Sequence, residues 1–180
     1  MQGTRIFLAV FAMILVASGA GAFLILGNLS ADVPPPVSPP TSSVDHIEVD
    51  GLRLNASAYY WQDFMPDIPD EGPPFMFIIW ITVKNNGNST VDDLTAIKAT
   101  LFYSGTLTPL RTFMLTRVDS GANSTAPGGT ILMEFTNQRG EVFSPDIEEG
   151  TEFYARVLFT WVGNYQAILT TPPSPLMFTY

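Results

Sequence analysis

The sequence contains no cysteine, which excludes several kinds of chemistry before any pattern is considered. Without cysteine the chain has no disulfide, no thiolate nucleophile and no cysteine-ligated zinc or iron–sulfur cluster. A type 1 copper site is excluded as well, because it requires a cysteine beside two histidines and the chain has a single histidine. Any folded domain must therefore be held together by its apolar core.

Basic residues are scarce: 8 lysines and arginines stand against 17 aspartates and glutamates, so the formal net charge is −9. A surface this acidic repels phosphate groups, and we expect no nucleic-acid partner. Attachment to a membrane would have to be hydrophobic rather than electrostatic. Hydrophobic residues make up 46% of the chain, which excludes disorder of the whole. The length of 180 residues allows one domain and an anchor.

Acid–base catalysis has few candidates in this sequence. His46 is the only histidine, and no G-x-S-x-G motif accompanies it. We therefore predict a surface role for His46, no enzymatic activity and no cofactor. The sequence gives no indication of a small-molecule ligand.

A long run without charge, IFLAVFAMILVASGAGAFLIL, covers residues 6–26. As a helix it would span roughly 30 Å, the thickness of the hydrocarbon core of a bilayer. Arg5 precedes the run, and the next basic residue is Arg53. The positive-inside rule then predicts a cytoplasmic N-terminus at 1–5, a transmembrane signal anchor at 6–28 and an extracytoplasmic remainder. The predicted location is the cell membrane, with one pass.

A cleaved signal peptide is the alternative interpretation of the same segment. Small residues around Ala20 and Ala22 offer cleavage sites. Cleavage there would leave the apolar residues 23–26 at the new N-terminus. Such a strand would be accommodated only if it were buried in a neighbouring subunit.

Prolines dominate the next segment, residues 29–43, which contains VPPPVSPPTSS. Proline at this density prevents helix formation and favours an extended polyproline II conformation. The sequence predicts a stiff linker here, and a folded domain over 44–180.

Residues 44–180 show strand patterns separated by turn residues. Apolar and polar residues alternate with a period of two, as in half-buried strands, over 52–60, 97–103, 131–135 and 153–161. The apolar run at 75–84 predicts a central strand, and 111–118, 165–170 and 176–180 add further candidates. Seven to nine short strands predict an all-β fold, an Ig-like antiparallel β-sandwich. Uneven loop lengths favour a sandwich over an up-and-down barrel.

Two segments resemble a known family. FIIWITVKNNGNSTVDDLTAI at 77–97 and APGGTILMEF at 126–135 are similar to the turns and strands of the Ig-like CARDB domains. This resemblance implies an Ig-like fold on a microbial, often archaeal, cell surface, and it carries no catalytic residue. The single anchor followed by such a domain also resembles the architecture of archaellum stator proteins.

Acidic side chains in the predicted loops are the candidate metal ligands. Calcium takes six to eight oxygen ligands, which such loops can supply. The candidates are Asp67, Asp70, Glu71, Asp92 and Asp93, although none has EF-hand spacing. Paired carboxylates also serve glycosidases, but that chemistry needs a cleft that a small sandwich rarely provides.

Four N-x-[ST] sequons and a set of aromatic residues complete the candidates. Asn28 would lie close to the membrane, so the predicted glycosylation sites are Asn55, Asn88 and Asn123. Stacked aromatic side chains are typical of carbohydrate platforms. The candidates for one are Tyr59, Tyr60, Trp61, Trp80, Trp161 and Tyr165, although Trp80 and Trp161 lie within apolar strands and are expected in the core.

These observations favour a non-enzymatic interaction or structural protein at a cell surface. We expect it to contact a surface layer, an appendage or a membrane complex through a protein partner or through self-assembly. A pilus-like filament subunit, assembled by strand donation after signal cleavage, is one alternative. A carbohydrate-binding module is the other.

Overall fold

The chain is described by a computed structural model that covers residues 46–64, 72–137 and 147–180. The described strands are β1 Ile47–Val49, β2 Leu52–Asp63, β3 Phe75–Asn85, β4 Thr95–Tyr103, β5 Pro109–Arg117, β6 Thr130–Asn137, β7 Glu152–Trp161, β8 Tyr165–Thr170 and β9 Ser174–Thr179. A short 3₁₀ turn, Val162–Asn164, joins β7 to β8. Each strand predicted from the alternation is present, and β1 is an addition.

Seven of these strands close into a barrel. The neighbours run in the order β2-β3-β6-β5-β4-β7-β9, and β9 pairs with β2 to complete the ring. The β9–β2 pair is parallel, and the other pairs are antiparallel. Two strands lie outside the ring: β1 flanks β2, and β8 flanks β7.

The closure depends on two strands that change neighbours along their length. In β5 the first residues pair with β4, while Leu115, Thr116 and Arg117 pair with β6. In β9 the first residues, Ser174 and Pro175, pair with β7, while the segment from Leu176 pairs with β2. Each strand thereby joins two halves of the ring that would otherwise form two separate sheets. One half contains β2, β3 and β6, and the other contains β4 and β7.

The prediction of an Ig-like β-sandwich is therefore wrong, although the chain is all-β as predicted. The physical reason is that period-two alternation specifies which side chains are buried but not which strands are neighbours. An open sandwich and a closed barrel bury the same alternating positions. Loop length, which favoured the sandwich over the barrel, carries no information about where β5 and β9 change partners.

Aromatic rings fill the middle of the barrel. Tyr60, Phe75, Phe77, Phe113 and Phe153 are buried, and their ring centroids lie between 5.2 and 6.3 Å apart where they contact each other. Burial of one such side chain contributes about 1.5–3 kcal/mol. This aromatic cluster draws on both halves of the ring, so it stabilises the closure.

Two buried asparagines replace missing backbone partners at the strand ends. Asn137 donates from Nδ2 to the Phe75 carbonyl at 2.8 Å and accepts from the Phe77 amide at 3.0 Å. Asn85 donates to the carbonyls of Ser89 and Thr125, and accepts from the Gly87 amide. Because an unpaired buried polar group is costly, these side chains are suited to ending β6 and β3.

No helix in the described part of the chain is long and apolar enough to cross a membrane. On this finding we correct the predictions of a single-pass anchor, of the membrane as a partner and of a cell-membrane location. Residues 1–5, 6–28 and 29–43, on which those predictions were based, lie outside the described ranges. The apolar run meets the length that spanning requires, but length and hydropathy alone do not determine a span.

Candidate functional site

The outer face of β8, β7, β4 and β5 carries side chains in cross-strand rows. One row is Ile168, Leu158, Lys98 and Met114, because Leu158 pairs with both Ile168 and Lys98, and Lys98 pairs with Met114. The next row is Thr170, Arg156, Thr100 and Thr112. These residues alternate with the buried Ala99, Leu101 and Val157, so the same alternation that builds the core presents these rows to the outside.

A groove of about 560 Å³ lies over these rows. Its lining residues are Lys98, Thr100, Phe102, Leu107, Pro109, Thr112, Arg156, Leu158 and Ile168. The turn after β4 forms one wall, where Leu107 is 79% exposed. Tyr154 anchors that turn by donating from its hydroxyl to the Thr106 carbonyl at 2.6 Å. The wall is therefore held in place by the sheet below it.

Arg156 and Lys98 give this groove its charge. The Arg156 guanidinium carbon lies 5.0 Å from the centroid of the Phe102 ring, which stacks on Tyr154 at 5.0 Å and 10°. Neither cation forms an ion pair with a carboxylate within the described residues. In a chain of net charge −9, two unpaired cations on one face form a local site of opposite sign.

The groove can therefore bind an anionic group beside an apolar one. An arginine presents a planar fork that holds a carboxylate through two hydrogen bonds. The hydroxyls of Thr100 and Thr112, 2.9 Å apart, add donors and acceptors next to Arg156. Leu107, Pro109 and Ile168 supply apolar surface at the rim.

The aromatic residues predicted for a carbohydrate platform are divided among separate places. Tyr59 and Trp61 lie half-buried on the outer face of β2, with ring centroids 5.7 Å apart and planes at 30°. Partial burial raises the pKa of Tyr59. Tyr60 is fully inside the barrel. Only Tyr59 and Trp61 therefore form an adjacent, partly exposed pair on that strand.

The two other tryptophans are buried. Trp80 donates from its indole nitrogen to Glu134 Oε1 at 3.2 Å, and its side chain is almost fully covered. Trp161 belongs to the core, and the exposed ring of Tyr165 stacks on it at 6.0 Å and 11°. Core packing accounts for both tryptophans.

His46 is exposed and lies just before β1. Its Nδ1 is 3.2 Å from Arg53 Nη2, and its Nε2 is 3.8 Å from Glu48 Oε1. Both partners are surface side chains, and the groove is formed by other strands. The structure therefore places His46 in a cluster of polar surface side chains, apart from the groove.

Of the candidate calcium ligands, the structure describes Asp92 and Asp93, and both are exposed. Asp93 adopts a positive φ of 56°, and the Asp92 carbonyl accepts from the Val162 amide. No three acidic or histidine side chains come together within the described residues. Asp67, Asp70 and Glu71 lie outside them, so the calcium site stays a prediction.

The three candidate glycosylation sites are all exposed. Asn55 lies on the outer face of β2, Asn88 in the turn after β3, and Asn123 in the loop between β5 and β6. The backbone ties the last two loops together, since the Leu94 amide donates to the Asn123 carbonyl and Val91 bridges to Thr125. Exposure is a requirement for glycosylation, and glycosylation itself stays a prediction.

No known protein family matches this chain, and no curated protein matches it in sequence. Among solved structures, it is similar to the X-ray structure of the Northeast Structural Genomics Consortium target SoR45. That likeness has 13% identity and a TM-score of 0.38, and covers 71% of this chain and 86% of the other. It is also similar to the alkylpurine DNA glycosylase AlkC of Pseudomonas fluorescens bound to DNA, at 12% identity and a TM-score of 0.32, covering 69% of this chain and 30% of that one.

Likenesses at these TM-scores carry no argument about function. Nothing in the comparisons supports the resemblance to CARDB domains or an archaeal cell surface. The Ig-like fold that this resemblance implied is corrected above.

Sequence reasoning missed the groove. Lys98 and Arg156 are 58 positions apart in the chain, and only the pairing of β4 with β7 brings them to one face. One signal was available: both cations lie on the polar side of predicted strands in a chain with few basic residues. That signal identifies exposed cations but does not show that they are neighbours.

Proposed function

We propose that this chain is a non-enzymatic interaction protein whose groove over β4, β5, β7 and β8 binds an acidic, partly apolar segment of a protein partner. The observation that carries the proposal is that two cations, Arg156 and Lys98, line the same groove without a carboxylate partner among the described residues. An acidic partner that a molecule of net charge −9 repels as a whole is attracted locally by these two cations.

The exposed apolar residues around the cations favour a protein segment as the ligand. Ile168 is 52% exposed and Met114 is 56% exposed, and they stand at the two ends of the row that contains Lys98. Protein interfaces are enriched in aromatic residues, methionine and arginine, and all three occur on this face. A groove open along four strands also suits an extended segment better than a compact small molecule.

The chemistry of the groove supports binding rather than catalysis. Its two ionisable side chains are a lysine and an arginine, which donate hydrogen bonds to an anion. The only histidine is on β1's side of the molecule, beside Arg53 and Glu48. The groove residues can hold an anion but include no group suited to act as a general base near neutral pH.

The test is a titration followed by amide chemical shifts. The probe is a synthetic peptide of alternating glutamate and leucine, and the lysine–leucine peptide is its control. We expect saturable shifts in β4, β7 and β8 with the acidic peptide only. In the double variant Lys98→Glu and Arg156→Glu, the affinity should fall about tenfold or more, which corresponds to about 1.4 kcal/mol.

A matched control reverses the same number of charges elsewhere. Arg53 and Lys84 are exposed cations that lie opposite each other on the neighbouring strands β2 and β3. The double variant Arg53→Glu and Lys84→Glu should leave the affinity for the acidic peptide within about twofold of the wild type, apart from the weak effect of net charge. Equal losses in the two double variants would show a nonspecific charge effect and refute the groove.

Carbohydrate binding is a second candidate, favoured by the partly exposed pair of Tyr59 and Trp61. Aromatic faces stack on the apolar faces of sugar rings. Retention on an insoluble polysaccharide, lost in Trp61→Ala but kept in the Lys98 and Arg156 variant, would support this candidate over the groove. The filament alternative gains no support from the ring itself, because β9 already pairs with both β2 and β7 and leaves no gap there for a donated strand.

A further inference from the structure

β8 has one edge without a strand partner in the described part of the chain. Within the described residues it pairs with β7 alone, at the end of the strand order. Its sequence, YQAILT, contains no charged residue and no proline. Natural sheet edges are usually protected by charges, prolines or shortness, because an unprotected edge is a template for a further strand.

The other edge of the sheet is protected in this usual way. β1 has 3 residues, and the exposed Glu48 lies at its centre with His46 just before it. β8 is twice as long, at 6 residues, and carries no such charge. The two edges of one molecule thus differ in the feature that prevents strand addition.

The direction of the backbone groups of β8 follows from one hydrogen bond. The Thr171 amide donates to the Ala155 carbonyl at 2.9 Å, so this pair continues the β7–β8 ladder as a hydrogen-bonded pair. Hydrogen-bonded pairs alternate in an antiparallel ladder. Tyr165, Ala167 and Leu169 therefore bond to β7, while Gln166, Ile168 and Thr170 direct their amides and carbonyls to the open edge.

We propose that this edge is a self-association site, at which β8 of a second copy pairs antiparallel about a twofold axis through Ile168. In this register Ile168 lies opposite Ile168 of the second copy, and Gln166 lies opposite Thr170. In this register, side chains on the outer face of one copy lie next to side chains on the outer face of the second copy. A shift of the pairing by one residue would place them on opposite faces. About six backbone hydrogen bonds would form, all from groups that point to the open edge.

A second copy fits this edge for three reasons. The register is self-complementary, as a twofold interface requires. The strand carries no charge, so two molecules of net charge −9 meet where neither presents a carboxylate. The apolar pair of Leu158 and Ile168 also continues across the axis into the same pair of the second copy. Ile168 also lines the groove, but the self-association proposal is argued from the backbone groups and charge of β8 and holds whatever the groove binds.

The first experiment is sedimentation velocity of the full-length chain over a concentration series. We expect a reversible dimer for the wild type. Ile168→Lys should raise the dissociation constant about tenfold or more, because the lysines would face each other across the axis. The control is Met114→Lys, at the far end of the same row and similarly exposed, which should dimerise as the wild type does. Thermal unfolding of each variant shows whether it is folded.

The second experiment determines the register, and the cysteine-free sequence makes it direct. Under oxidising conditions Ile168→Cys should form disulfide-linked dimers. Gln166→Cys should do so only when mixed with Thr170→Cys. A wild type that stays monomeric, a folded Ile168→Lys variant that dimerises normally, or cross-linking of Met114→Cys as efficient as that of Ile168→Cys would overturn the proposal.

Discussion

Asp119 is a carboxylate that accepts four hydrogen bonds. It accepts two hydrogen bonds from Arg117, at 2.6 and 2.9 Å, and one each from the amides of Gly121 and Glu134. The hydrogen bonds from Arg117 lower the pKa of Asp119 far below its ordinary value of 3.8. Arg117 also donates to the Ala122 carbonyl, so the pair fastens the loop after β5 to β6.

We expect Asp119→Asn to lower the free energy of unfolding near neutral pH by about 1–3 kcal/mol, because hydrogen bonds to a charged group are lost. A carboxyl group whose pKa is lower in the folded state stabilises the protein above its unfolded pKa. That contribution is lost as the pH falls from about 3.8 towards the lower, folded value. Urea unfolding at a series of pH values should therefore show wild type and variant converging in acid.

The control for this prediction is Asp92→Asn, an exposed aspartate whose side chain accepts no hydrogen bond in the part of the chain that the structure describes. Its difference from the wild type should be small at every pH. A difference between wild type and Asp119→Asn that grows on acidification would contradict the assigned direction of the pKa.

At the scale of elements, β9 decides whether the ring closes. Leu176 is fully buried, and its amide and carbonyl bond to Thr151 and Gly150. Met177, the next residue, points outward and is 39% exposed. We expect Leu176→Ala to cost about 2–5 kcal/mol of stability, since it leaves a cavity in the core. Met177→Ala on the same strand should cost less than about 1 kcal/mol by urea unfolding. Similar losses would show that Leu176 is not part of a closed core.

The turn between β1 and β2 packs closely against the turn after β3. Gly51 has φ +78°, and a Cβ there would lie 3.1 Å from Gly87 Cα. Gly105 has nearly the same φ, +77°, with nothing within 4 Å of a Cβ. Alanine at either position bears the cost of positive φ, about 1–2 kcal/mol.

Only Gly51→Ala must also move the backbone of the turn after β3. We therefore expect Gly51→Ala to lower the unfolding free energy by about 1 kcal/mol more than Gly105→Ala. Equal losses, measured by urea unfolding, would mean that the two turns are not in contact. The comparison separates steric contact from backbone strain, because the two glycines share the same φ.

The strands could be predicted from the sequence, and their partners could not. Alternation such as that of Leu52, Leu54 and Ala56 identifies β2 from its own residues, since burial on one face is a local pattern. The pairing of Tyr60 with Leu176 joins residues more than a hundred positions apart, and no local pattern specifies it. The groove was missed for the same reason as the barrel: Lys98 and Arg156 become neighbours through a pairing of distant strands.

At the scale of the whole molecule, closure of the barrel should make unfolding cooperative. β5 and β9 each pair with strands of both halves of the ring, and the Phe75 ring contacts the rings of Phe113 and Phe153 across the interior. One half therefore cannot unfold without breaking ladders and core contacts of the other. An open sandwich, in which the two sheets share only side-chain packing, has fewer such connections.

The chain has 3 tryptophans, two of which report on different halves. Trp80 lies in β3 and Trp161 in β7, so Trp61→Phe with either Trp80→Phe or Trp161→Phe leaves a single buried reporter. We expect the urea midpoints of the two reporters, each corrected for the variant's own stability by circular dichroism, to coincide as in two-state unfolding. Midpoints that differ from the circular-dichroism transition in one variant only would show that one half unfolds first. The ring would then be only a weak connection between two sheets.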